Sequence, residues 1–287
     1  MVQMTVAGLA PGAAYAILGC CVVLLFRTTG VLNFAQAVLG AFGACTAAEA
    51  YDALGLTAAS AAAVGVLCGT VLAAAVGALM TWLFKDSQVG VRATAMIAVT
   101  VGLLTLGLRL YGDVPLPVAP VVPTTVVGLG AGATVALDTV VVLALGLLLA
   151  AGSAVVLGRT RLGAVLRAVS ARPATAELLG VRVRLLSIGM WAFTGALSSV
   201  AMLLIAPARS DDFRTMGMLI LPALAAVLVG AFRSVPATLA GGLVLGVIES
   251  VSVTWPSVSA YKAVLPFLVV IVALLWSQRK QVWDEAR

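Results

Sequence analysis

At several places along this chain, runs of mostly apolar residues continue past the ~18 that mark a membrane-crossing helix. Val6 to Phe26 is one, and Thr134 to Leu157, with Asp138 its one charge, is another. In lipid the backbone of such a run must satisfy its own hydrogen bonds, which favours a helix. Composition agrees. Hydrophobic residues make up 62% of the 287 positions and charged ones 10%, against about a quarter charged in a soluble domain. The expected fold class is all-α: a polytopic membrane helical bundle in which residues 1–287 form a single transmembrane domain.

Read in order, the runs give nine spans, with eight to ten compatible with the pattern. They are Val6–Phe26, Leu32–Tyr51, Leu56–Phe84, Thr94–Tyr111, Thr134–Leu157, Leu185–Ala206, Thr215–Phe232, Pro236–Thr254 and Tyr261–Trp276. Between the fourth and fifth, Gly112 to Thr125 holds Pro115, Pro117, Pro120 and Pro123, and an irregular loop is expected there. The first run has no basic stretch before it and no convincing cleavage site, so it is expected to be retained.

Orientation follows from Lys and Arg, which are in excess in cytoplasmic loops. With the N-terminus outside, 13 of the 17 fall inside: Arg27, Lys85, Arg92, Arg159, Arg161, Arg167, Arg172, Arg182, Arg184, Arg233, Arg279, Lys280 and Arg287. Arg109, Arg209, Arg214 and Lys262 fall outside. The C-terminus is then expected in the cytoplasm. The formal charge of +6 belongs to loops beside lipid, and no nucleic-acid partner is expected.

Six of those arginines crowd into one interruption, residues 159–184. Its first half has helical periodicity, with Leu162, Val165, Leu166 and Val169 on one face and Arg161, Arg167, Ser170 and Arg172 mostly off it. Pro173 suits the first turn of a second short helix, and Gly180 suits its left-handed end. Two readings stand: two helices offering an apolar knob to a cytoplasmic partner, or a charged loop that only sets topology.

Small residues recur at Ala37, Gly40, Ala44 and Ala47 in the second span and at Gly242, Gly246 and Ser250 in the eighth. Such stripes let helices approach closely in lipid, and these two spans are expected to be central. Intramembrane polar groups are costly and must face protein or water. Asn33 and Gln36 open the second span, Thr194, Ser198 and Ser199 cluster in the sixth, and Glu249 lies toward the outer end of the eighth. Asn33, Gln36 and Glu249 either line a pathway or tie helices together. Glu49 and Asp138, near span ends, read as solvated.

Several chemistries are excluded. No histidine occurs, and Cys20, Cys21, Cys45 and Cys68 lack metal-site spacing, so no metal is expected. No Lys follows a Gly, which removes the phosphate-cradling GxxxxGK[ST] loop. The eleven acids form no paired set within a span. No enzyme and no resident cofactor are expected; work against a gradient would draw on an ion gradient or another polypeptide. An ion-coupled secondary transporter would need mid-membrane acids in both halves, and Glu249 has no clear counterpart in the first.

Three stretches in register resemble the LivH-type permeases, membrane subunits of branched-chain amino-acid ABC importers. The first is Gly30-Val31-Leu32-Asn33-Phe34-Ala35-Gln36 with Gly40 to Ala44. The second is Arg167-Ala168-Val169-Ser170-Ala171-Arg172-Pro173 running on to Glu177-Leu178-Leu179-Gly180-Val181. The third is Val229-Gly230 through Ser234-Val235-Pro236, then Gly241-Gly242, Gly246 and Glu249. Tyr261-Lys262 also fits. Departures are Gln36 where the family usually has His, Ala37 and Arg233 for glycines, Pro222 for a Lys, and Trp276 to Arg287 for a short Pro-Gly ending.

The resemblance implies a multi-pass protein of the bacterial plasma membrane that passes amino acids, or another small polar solute such as urea or amides. Its implied partners are a second permease (LivM-like or another copy), two cytosolic ATPase subunits that use the ATP, an extracytoplasmic binding protein and the lipid bilayer. Asn33, Gln36, Gly40 and Glu249 become the pathway candidates. Leu162, Val165, Leu166, Arg167, Val169, Arg172, Pro173, Glu177 and Gly180 become the ATPase-coupling candidates.

Overall fold

The structure is a computed structural model and describes residues 2–84, 87–123, 125–130, 133–209, 211–255, 264–272 and 275. A short α1 (Val2–Ala7) turns at Gly8 into α2 (Leu9–Thr29), followed by α3 (Gln36–Leu54), α4 (Ala58–Leu83) and α5 (Val89–Tyr111). After the proline-rich loop, strands β1 (Val126–Gly130) and β2 (Ala133–Ala136) pair as an antiparallel hairpin. Then come α6 (Leu137–Arg159), the short α7 (Arg161–Ala171) and α8 (Pro173–Leu178), and the long α9 (Val183–Arg209). The last elements are α10 (Phe213–Met218), α11 (Ile220–Val229) and α12 (Val235–Ser252).

Among the described residues six helices are long and apolar enough to cross a membrane: Val2–Thr29, Ala58–Leu83, Gly90–Tyr111, Leu137–Arg159, Val183–Arg209 and Val235–Ser252. The chain is a multi-pass helical membrane protein. The second expected span is present as α3 but carries Glu49 and Asp52. Other helices enclose it from Gln36 to Cys45, while Glu49 and Asp52 lie in its last turns and are exposed, as expected for Glu49 near a span end. The seventh, Thr215–Phe232, is split: Pro222 has no N–H to continue the ladder toward Met218 and would crowd its carbonyl, and the chain breaks at Leu219. Of the ninth, 265–272 is helical. The remainder of the ninth, Lys85, Lys262 and the Trp276–Arg287 ending lie outside the described residues, apart from 264 and 275.

Helices α2 and α3 are the enclosed ones. From Gly12 to Leu25 every α2 residue is buried, as expected of a helix apolar all round. The glycine stripe of α12 lies antiparallel along α2: a Cβ at Gly246 would meet the Gly8 carbonyl oxygen at 2.6 Å, and one at Gly242 would meet Ala16 Cα at 2.6 Å. The eighth span, expected to be central, is covered only in part: α12 is buried against α2 and, through Gly241 on Val229, against α11, while Val244 and Ile248 face outward. Glycines likewise bring α4 and α9 onto α3, where a Cβ at Gly40 would meet the Ser198 carbonyl oxygen at 2.8 Å. Leu67, Val71, Trp82, Leu147 and Leu148 face outward on α4 and α6, a greasy rim suited to lipid.

The two ends of the bundle differ. At one, Arg27 Nη1 donates to the Arg233 carbonyl at 2.8 Å, beside α7 and α8. At the other, Gln3 pairs with Thr134 and Arg214 with Asp113 at 2.6 Å. Arginine-rich segments thus gather at one end.

Candidate functional site

Asn33 and Gln36 do meet, and they meet inside protein. Asn33 Nδ2 donates to Gln36 Oε1 at 2.7 Å, and Asn33 Oδ1 accepts from the Ala35 N–H at 2.9 Å. Gln36 Nε2 donates to the Thr194 carbonyl at 2.9 Å and to Ser198 Oγ at 2.5 Å. Ser198 Oγ in turn donates to the Thr194 carbonyl at 2.9 Å. All four residues are at most 1% exposed. The hydroxyl cluster read on the sixth span is therefore the partner of the pair read on the second. The arrangement does what a buried polar network must do to be tolerated: both donors on the Gln36 amide are used. It is an interhelical tie between α3 and α9, and Gly40, about one turn further along the same face, lets the backbones close.

Glu249 sits in a second polar group, toward the opposite end. The Tyr15 hydroxyl donates to Glu249 Oε2 at 2.7 Å, and Arg209 Nη1 lies 3.4 Å from the same hydroxyl. Arg209 Nε donates to Asp211 Oδ2 at 2.5 Å. One tyrosine thus links α2, α12 and the end of α9. Beside it Arg209, Asp138 and Thr139 share a cavity of about 210 Å³ with Ala7, Ala10, Pro11, Val142, Leu204, Ile205 and Ala208. Aliphatic walls with a cation and a carboxylate at the rim can hold a small amphipathic solute.

In residues 159–184 the two expected short helices are present. Thr160 Oγ1 accepts from the Gly163 N–H and caps α7, Pro173 occupies the first turn of α8, and Gly180 takes φ 83°. The apolar face needs correction. Leu166 is 2% exposed and Val169 5% exposed. Leu166 belongs to the main core, and Val169 packs with Ala176 and Val183, with Val165 against them. Burial against its own chain costs no association entropy, so an intramolecular partner takes the stripe before an external one can. What remains outward is Leu162, the arginines at 167 and 172, and Leu178 and Leu179, which are 89% and 78% exposed.

A match to the family described as "Branched-chain amino acid transport system / permease component" runs over residues 4–274. The chain belongs to this family. The permease is also 31% identical over 142 residues to the probable branched-chain amino acid transport permease protein LivH of Methanocaldococcus jannaschii. That match covers 45% of this chain and 43% of the relative, so the chain spans less than half the length of the curated protein it matches. Among solved structures, PsaBC from Streptococcus pneumoniae in complex with Fab aligns over 95% of this chain and 90% of that one, at TM-score 0.47 and 15% identity.

Two parts of the permease's site escaped the sequence. Tyr15 and Arg209 were available as a lone phenol and a lone guanidinium in apolar surroundings, yet their depth relative to Glu249 is a tertiary fact. Leu178 and Leu179 follow Ala176, whose burial completes the inner face of α8, so a short apolar pair remains without intramolecular cover.

Proposed function

We propose that the chain is a membrane-spanning subunit of an ABC importer for branched-chain or similar amino acids. The single observation that supports this most is the family match over residues 4–274. Solute arrives from an extracytoplasmic binding protein, and two cytosolic ATPase subunits drive passage through a pair formed with a second permease. The arginine-rich end, with α7 and α8, is the cytoplasmic one. The N-terminus then lies outside, and a ninth span returns the C-terminus to the cytoplasm of a bacterial plasma membrane. Residues 1–287 act as one translocation domain without chemistry of their own.

Coupling runs through α7 and α8. Leu166 and Val169 fasten this unit to the bundle, and Leu178 and Leu179 are the knob that enters the ATPase, with Arg172 at its fringe to steer an acidic rim. Helices held at both ends transmit a push that a loose loop would absorb. Asn33, Gln36 and Gly40 shape the route by fixing α3 against α9, and Glu249 lies near its outer mouth.

The experiment is reconstitution with candidate ATPase, second-permease and binding-protein subunits from the same organism, with ATP-driven uptake of labelled leucine. Uptake of leucine but not urea is the expected result, and the permease alone hydrolyses no ATP. ATPase activity above background from the permease by itself, or uptake driven by a proton gradient without ATPase subunits, would overturn the reading.

A further inference from the structure

Three arginines from three separate parts of the fold line one cavity of about 390 Å³ at the arginine-rich end: Arg27 from the last turn of α2, Arg167 from α7, and Arg233 from the turn between α11 and α12. No acidic residue is among the lining residues, which otherwise include Ser153, Ser234, Leu157 and Pro236. Arg27 has one hydrogen bond, to the Arg233 carbonyl. Neither Arg167 nor Arg233 has a side-chain hydrogen bond or ion pair among the described residues. Uncompensated cations drawn together beside a membrane repel one another, and that arrangement persists where an anion belongs between them.

We propose that this cavity binds a phosphate group, supplied by the headgroup of an anionic phospholipid in the adjoining leaflet. Guanidinium forks match phosphate oxygens two at a time, and basic pockets between spanning helices suit such headgroups. Ser234, whose Oγ accepts from the Ala237 N–H, keeps its own O–H to donate, whereas Ser153 gives its proton to the Ala150 carbonyl; Ala154 and Pro236 offer exposed apolar surface for the start of the acyl chains. The bound phosphate bridges α7 to α2 and to the α11–α12 turn, and so holds the α7–α8 unit against the bundle. The proposal does not depend on which solute is carried.

The test uses the full-length permease, delipidated and placed in phosphatidylcholine nanodiscs, with phosphatidylglycerol titrated in and bound lipid read by native mass spectrometry. Wild type is expected to retain phosphatidylglycerol over phosphatidylcholine. Arg233→Gln and Arg167→Gln, both exposed positions that fold without their charge, are each expected to weaken retention at least roughly tenfold. Arg233→Lys should keep most of it, because a point charge still neutralises phosphate. A second arm adds inorganic phosphate to pure phosphatidylcholine discs and follows the thermal midpoint. A rise in wild type that Arg233→Gln abolishes, without lipid retention, keeps the phosphate site and assigns it to a soluble ion. Equal retention by wild type and both glutamine variants, or no preference for either phosphate source, overturns the proposal.

Discussion

The Tyr15 hydroxyl lies 2.7 Å from Glu249 Oε2, and this hydrogen bond joins α2 to α12 across 234 positions of sequence. It sits at the end of the glycine seam between the two helices, so polar and apolar contacts hold the same pair. Tyr15→Phe keeps the ring and removes the donor. The expected cost is about 1–3 kcal/mol, read as a lower thermal midpoint of the purified permease and reduced uptake. Glu249→Gln should be milder, because its amide oxygen still accepts from Tyr15. A Tyr15→Phe protein that melts with wild type would mean the bond does not contribute.

The α3–α9 tie separates packing from pathway. Gln36→Ala leaves Asn33 without its acceptor and opens a small cavity, an expected loss of about 2–4 kcal/mol. Gln36→Glu fills the space but presents oxygen to the Thr194 carbonyl, and should be no better. Both variants are expected to lower the thermal midpoint and uptake together. Altered uptake at an unchanged midpoint would instead make Gln36 a residue that meets the solute.

The seam itself sets a steric limit. Gly246→Ala drives a methyl into the Gly8 carbonyl and the Gly12 backbone, and overpacking of this kind costs about 1–3 kcal/mol or more. Gly158→Ala, with open space around it, is the matched control and should be silent. Equal expression and melting of the two would show that α2 and α12 separate freely.

Leu166 and the pair Leu178–Leu179 should respond to charge in opposite ways. Leu166→Asp buries a carboxyl in the core, at a cost of several kcal/mol, and should reduce folded permease before any question of docking arises. The double change Leu178→Asp with Leu179→Asp touches exposed positions and should leave the thermal midpoint in place while releasing the ATPase on co-purification. Retention of the ATPase by that double variant would move docking to another face.

The membrane class, most of the spans, the proline-rich break and the two-helix unit at 161–178 were all written locally. Long apolar runs, prolines at a loop and at a first turn, and a glycine at a left-handed position act within a few residues of themselves. The small-residue stripes at Gly40 and at Gly242–Gly246 announced close approach, since only close approach makes their lack of side chain useful. The sequence by itself could not name their partners. That Gly246 lies on Gly8 and Gly12, that Gln36 reaches Ser198, and that Tyr15 reaches Glu249 depends on how helices far apart in the chain are ordered and rotated. That α12, marked as central by its stripe, is covered on only part of its surface was likewise decided in three dimensions. The face of α7 is the sharpest case. Its periodicity determined that Leu166 and Val169 would be covered, but only the tertiary structure decided that their cover is this chain's own helices, because a stripe records the need for burial and not the identity of what buries it.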